Sequence, residues 1–353
     1  MTIKNIFSLA TSITSLFIII LYSNTLSKAD ENNIKYFSKD EGILSIMYHR
    51  FDEYKYPSTN IQMDIFKEHM QIIKNSDFNF HNPNKFQEQF NAVKLKKEIL
   101  ITIDDAFESF YFEAWPYLKK NEIPFILFVS TEPVGKNGYM TWNQIREIEK
   151  ESFTLIGHHS HSHDYLIDET NEKFISDIEK ANKIFFKELG YIPNLFSYPF
   201  GEYSKFMRDY ISKNFEFAFG QHSGVIDLNK DKFELPRFPI NEKYGEIKRF
   251  KSIINYFPLE YKKLLPLEKQ LIKSTNPPKF LVEFFEEQKN LQNINCYSNE
   301  ADVWEKSKTI FSGTTLSIEF RGPFKPRRGR VNCSLNDDGK WRWLGIQFPI
   351  KTN

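Results

Sequence analysis

Between Gly42 and about Phe238 the chain alternates between short apolar runs and longer runs with apolar residues three and four apart. The short runs are Ile43–Tyr48, Ile99–Ile103, Phe125–Val129, Thr154–Ile156, Leu195–Tyr198, Phe215–Phe219 and Phe233–Leu235, and they predict strands. The longer runs predict helices over Phe66–Lys74, Phe107–Lys120, Trp142–Lys150, Glu169–Leu189 and Lys205–Lys213. Strands this apolar suit a sheet covered on both faces, and alternation of strand and helix makes that sheet parallel. About seven such units suit an incomplete (β/α) barrel better than an open sheet.

The pattern then changes. Residues 251–288, rich in Lys and Leu, predict a helical linker, with Ser274-Thr275-Asn276-Pro277-Pro278 as a break near its end. From 289 to 353 the runs shorten to strands over Thr309–Phe311, Leu316–Phe320, Arg330–Leu335 and Trp341–Phe348. Asn336-Asp337-Asp338-Gly339 is a hairpin signal between the last two. The expected architecture is an α/β distorted (β/α)7 barrel over 30–250 followed by a small β-rich domain.

The first 29 residues read as an export signal: Lys4, an apolar stretch from Ile6 to Tyr22, then small residues around Ser27-Lys28-Ala29. An uncleaved membrane anchor is the alternative. Either places the body of the protein outside the cytoplasm, periplasmic or secreted, with membrane association through the N-terminus under the second reading. An oxidising compartment favours pairing of the two cysteines, Cys296 and Cys333; two free buried thiols are the alternative. With 47 basic against 46 acidic residues, no electrostatic pull towards nucleic acid is implied.

The candidate chemistry sits where two predicted strands end. ILITIDDAF ends in Asp104 and Asp105, and TLIGHHSHSH carries His159 and His163. Consecutive residues of a strand point to opposite faces, so both Asp serve one site only if the backbone turns there. His159 and His163, four apart, share a face on a helical turn, and Ser160 is placed to cap it. One carboxylate and two imidazoles make a three-ligand metal site with open positions. A helix N-cap pair for the aspartates and a solvated loop for the histidines are the bland readings.

TIDDAF, His-Ser-x-x-His and FSYPFGEY, in this order and spacing, resemble the polysaccharide deacetylases of carbohydrate esterase family four, the NodB-homology group. The resemblance covers about residues 40–245. It implies Asp104 as general base and Asp105, His159 and His163 as ligands of one divalent ion, usually zinc. It also implies hydrolytic removal of acetate from an acetylated aminosugar polymer. Ala106 stands where the family usually has Gly. The family's Arg-x-Pro-Tyr motif is here Ser197-Tyr198-Pro199-Phe200-Gly201, without its arginine. That departure resembles the subgroup acting on poly-N-acetylglucosamine exopolysaccharide, whose catalytic acid is a histidine on the first strand. Tyr48-His49 matches that placement and makes His49 the candidate acid, a structural histidine being the alternative.

Tyr198, Pro199 and Phe200 fall in the substrate motif, with the Phe200 N–H as candidate oxyanion donor by the same resemblance. Arg237, at the end of a late strand, is placed to keep Asp104 ionised or else to make a surface ion pair. His222 is a further pocket candidate with no assigned role. The C-terminal Lys325-Pro326-Arg327-Arg328-Gly329-Arg330 and Trp341-Arg342-Trp343 suit an anionic glycan or, for the tryptophans, a domain core. Rival readings are a peptidoglycan N-acetylglucosamine deacetylase, a catalytically silent glycan-binding protein, and hydrolysis of a non-sugar amide.

Overall fold

The computed structural model describes residues 39–91, 95–325 and 327–351. The candidate export segment lies outside the described residues. The central sheet has nine strands. Its main path uses β1 (Ile43–Tyr48), β2 (Glu98–Asp104), β3 (Phe125–Val129), β4 (Thr154–His158), β5 (Leu195–Ser197), β6 (Phe217–Phe219) and β7 (Val225–Ile226). The order is β7-β1-β2-β3-β4-β5-β6, parallel except for β7. Strand β8 (Phe238–Pro239) pairs in parallel with β1, while Leu235, three residues earlier, bridges Phe219 at the other end of the sheet. Segment 235–239 thus brings both ends together, and the sheet curls into the distorted barrel expected from the sequence.

Both sheet faces are covered, which explains the apolar strands. Every residue of β1 and β3 is buried. Helices α1 (Met63–Lys74), α2 (Trp115–Lys120), α3 (Trp142–Glu149), α4 (Asn171–Leu189) and α5 (Lys205–Asn214) lay one apolar stripe against it. In α1 that stripe is Met63, Phe66, Met70 and Ile73, at the three- and four-residue spacing of one helix face. Burying Phe66 completely contributes on the order of 2–3 kcal/mol.

Three expectations fail for physical reasons. The helix expected from Phe107 is a π-type turn over Phe110–Ala114 before α2 begins. Pro116 has no N–H for a bond four residues back, and its ring crowds that turn. The Phe233–Leu235 strand reduces to the single Leu235 bridge. The helical linker 251–288 does not form either. Helix α6 ends at Ile253 (Ile247–Ile253), and β9 (Phe257–Pro258), β10 (Lys263–Leu265) and β11 (Leu281–Glu283) follow. Pro258, Pro266, Pro277 and Pro278 interrupt any helical run, and Leu259, Leu264 and Leu271 enter the core of the second domain.

The β-rich domain therefore begins near Phe257. It adds β12 (Asn295–Ser298), β13 (Glu305–Lys306), β14 (Lys308–Ser312), β15 (Thr315–Glu319), β16 (Arg328–Asp337) and β17 (Lys340–Pro349). The β16–β17 hairpin turns at Asp338-Gly339, both with positive φ, as its sequence signal requires. Cys296 and Cys333 are joined in a disulfide between adjacent strands β12 and β16. Trp343 packs inward, its ring 5.1 Å from Tyr256 and its Nε1 donating to Ser223 Oγ at 2.8 Å; Trp341 remains 46% exposed.

Candidate active site

His49, Asp104, Asp105, His159 and His163 gather at the C-terminal ends of the parallel strands. Asp104 closes β2, and the chain then bends through Asp105 and Ala106, at φ 76° and 55°. This left-handed pair is costly for non-glycine residues. It is held by Asp105 N–H donating to Phe128 O (3.0 Å) and Met140 N–H donating to Ala106 O (2.9 Å). The bend resolves the strand paradox, turning both carboxylates to one side.

After β4 the chain forms a loop rather than the expected helical turn, because Ser160 and His163 have φ of 69° and 57°. Ser160 Oγ nevertheless accepts from His163 N–H (3.2 Å), and Asp177 accepts from the N–H groups of His161 and Ser162. The result is the same meeting of rings. His163 Nε2 lies 3.1 Å and His159 Nε2 3.4 Å from Asp105 Oδ1. One ligand atom from each of the three side chains falls within 4.8 Å of the others. Asp105 Oδ1 and His159 Nε2 are buried without a hydrogen-bond partner, so a divalent ion between them would satisfy atoms otherwise left costly. His159 Nδ1 donates to Ser197 O at 2.7 Å, which leaves Nε2 as the free lone pair. The donor set fits a metal, zinc-type chemistry included.

Asp104 sits beside this cluster but faces another partner. Arg237 grips it with Nη1 to Oδ1 at 2.7 Å and Nη2 to Oδ2 at 2.8 Å, both side chains fully buried. Arg237 is fixed in turn by Gly220 O, Thr102 Oγ1 and Ser197 Oγ. Burial alone raises the Asp104 pKa; the charge of Arg237, then of His159, outweighs it and leaves the carboxyl below its ordinary range. Asp105 is held well below that range, burial again opposing and His163 and His159 prevailing. His49, at the end of β1, feels Asp105, Asp104, Arg237 and His159; burial dominates and lowers its pKa from the usual 6.5. Its Nδ1 is buried without a partner.

Other candidates fall outside. Tyr198 turns into the core against Phe196 and Tyr203, so within Tyr198-Pro199-Phe200 it is Phe200 whose ring reaches the mouth. Phe200 has φ 58°, and Gly201 after it φ 66°, where an added Cβ would come within 2.3 Å of Gln221 N. His222 lines a separate small cavity with Tyr203, Lys230, Glu234 and Lys269; burial, then the charges of Lys269 and Lys230, pushes its pKa down to about 3. His158 is a core side chain against Phe185 and Phe196.

The sequence reading missed the rim. The Phe200 ring lies 4.7 Å from that of His163 and stacks on Tyr165 at 4.0 Å. Arg327 of the β-rich domain lies 3.6 Å over Tyr165 and pairs with Glu202 and Asp168. Opposite, Arg50 stacks 3.4 Å over Phe107. No local pattern signals contacts between residues 35 or more positions apart.

A barrel with paired aspartates and two histidines at its strand ends, one carboxylate clamped by arginine, defines a hydrolase. Residues 92–216 match the family model for polysaccharide deacetylase. A poly-beta-1,6-N-acetyl-D-glucosamine N-deacetylase of Staphylococcus aureus is 23% identical over 249 residues, covering 62% of this chain and 85% of the relative. The structure of IcaB from Ammonifex degensii matches with TM-score 0.53 and 22% identity, over 61% of this chain and 97% of that one. The Streptococcus pyogenes deacetylase PplD in complex with acetate matches with TM-score 0.53 and 20% identity, over 58% and 95%. Among the described residues no helix is long and apolar enough to cross a membrane.

Proposed function

We propose that this protein removes acetate hydrolytically from a poly-N-acetylglucosamine-type exopolysaccharide, outside the cytoplasm, with one divalent ion. The observation that carries the reading is the division of labour between neighbouring aspartates: Asp105 joins His159 and His163, and Asp104 is clamped by Arg237. Homology to deacetylases of that polymer and the first-strand histidine support the substrate class.

Asp105, His159 and His163 would hold the ion. When bound, it supplies Lewis acidity towards the acetamide carbonyl and lowers the pKa of water beside it. Asp104, kept ionised by Arg237, takes the proton from the attacking water as the new C–O bond forms. The Phe200 N–H donates to the oxygen on which charge develops. His49 gives a proton to the nitrogen as the C–N bond breaks, so that a neutral amine and acetate leave.

The test is acetate release by metal-stripped and metal-reloaded protein from β-1,6-linked N-acetylglucosamine hexamer, chitohexaose and peptidoglycan. The reading expects metal-dependent release, fastest from the β-1,6 hexamer. Preference for peptidoglycan would replace the substrate class, and no acetate from any of the three would overturn the activity.

A further inference from the structure

Strand β16 alternates strictly between a buried face (Gly329, Val331, Cys333, Leu335) and a half-open face carrying Arg328, Arg330 and Asn332. The half-open face lies against the barrel at the active-site mouth. Arg328 Nε donates to Glu202 Oε1 at 2.6 Å, and its guanidinium carbon lies 5.5 Å from the Phe200 ring centroid. Gln347, directly opposite Arg330 on β17, donates to the carbonyls of Phe200 and Gly201 at 3.2 Å. Phe200 in turn touches His163.

The charges here do not cancel. Arg327, Arg328 and Arg330 face two carboxylates, Glu202 and Asp168, and both of these are engaged by Arg327, with Glu202 also taking Arg328. Among the described residues no carboxylate lies within ion-pair distance of Arg330, whose guanidinium makes one long hydrogen bond, Nε to Gln347 Oε1 at 3.4 Å. Arg328 Nη2 is buried without an acceptor. A half-buried guanidinium that has lost water and gained no anion is costly unless something else supplies the anion. Two guanidinium groups on one strand face, two residues apart, offer planar donors that match a carboxylate or phosphate.

We propose that Arg328 and Arg330 form an oxyanion subsite, contributed by the β-rich domain, for a carboxylate or phosphate substituent on the polymer next to the sugar being deacetylated. This rests on the deacetylase reading for the neighbouring sugar; the subsite itself is a property of the domain seam. It makes that domain part of substrate selection, and it disfavours a free ammonium at the same position.

The test uses the full-length, metal-loaded protein. Substrates are a neutral β-1,6-linked N-acetylglucosamine hexamer, the same hexamer with one carboxymethyl ether, and the same hexamer with one phosphate monoester. The wild type should favour the anionic hexamers by about tenfold in kcat/KM, through KM, with the preference falling as salt rises. Arg330→Gln should bring the ratio close to one, Arg330→Glu should reverse it, and Arg330→Lys should restore part of it. Carboxymethyl against phosphate tells which oxyanion is taken. Equal kcat/KM for all three hexamers in the wild type overturns the subsite. Should no hexamer release acetate, calorimetric binding decides separately: tighter binding of the anionic hexamers, lost in Arg330→Gln, upholds the subsite, and equal binding overturns it.

Discussion

Arg237, in the segment that joins the two ends of the sheet and 133 residues along the chain, holds both oxygens of Asp104, and neither side chain touches solvent. Ser197-Tyr198-Pro199-Phe200 carries no arginine, and segment 235–239, which brings the barrel ends together, delivers one from elsewhere in the chain. Structure and chemistry thus share a segment: the stretch that pairs with β1 also places the guanidinium. Arg237→Met should leave a buried carboxylate uncompensated, costing about 3–5 kcal/mol in a denaturant titration. Asp104 has a lowered pKa in the fold, so its contribution is present above the unfolded carboxylate value and is lost as pH falls through the folded one. In Arg237→Met that loss should begin at higher pH, and the acid limb of the rate profile should move up with it. An unchanged acid limb would contradict the clamp.

The two aspartates should separate cleanly. His159→Ala and Asp105→Asn should lose the divalent ion by elemental analysis, because each removes one of three converging donors. Asp104→Asn should retain it while turnover drops about a thousandfold or more. If Asp104→Asn also loses the ion, the proposed roles of the neighbours are wrong.

His49 can be examined through pH. Burial lowers its pKa from 6.5, with Asp105 and Asp104 pulling the other way, so its proton is lost as pH rises through a value under the ordinary one. The descending limb of kcat/KM should lie on that acidic side. His49→Ala should fold, keep its ion and fall about a hundredfold in turnover, with this limb abolished. Near-normal turnover would make His49 structural; His222, in a different cavity, does not offer itself as a substitute.

Reducing Cys296–Cys333 should destabilise the β-rich domain by roughly 3–4 kcal/mol on the chain-entropy estimate for its 37-residue separation. Mass spectrometry of unreduced, alkylated protein should recover the linked pair. Free thiols would refute it.

Much of this was legible in the chain because the informative features are local. β1 and β3 run over the residues their apolar character marks, and the Asp-Asp and His-Ser-x-x-His motifs name their positions directly. Arg237 was legible only as a candidate, since sequence shows a strand end but not what it faces. The helical linker misled because Leu and Lys favour helix while four prolines forbid its continuation. Tyr198 was grouped with Phe200 by adjacency; residues two apart in an extended stretch would share a face, but Phe200 is left-handed at φ 58° and the turn sends the two side chains apart. The Tyr165–Phe200–Arg327 stack had no signature at all, being assembled from three distant segments.

The Phe200–Gly201 turn carries two successive left-handed residues, and its carbonyls are held by Gln347 of the β-rich domain. Its conformational equilibrium is therefore thermodynamically linked to the folding of a sheet that contributes nothing to the bond being broken. A loss of stability in that sheet, whether by heat, reduction or mutation, is felt at the rim as a smaller population of the competent turn. Activity should then decline before the barrel itself unfolds, and the two domains should behave as one cooperative unit in catalysis even though each has its own hydrophobic core.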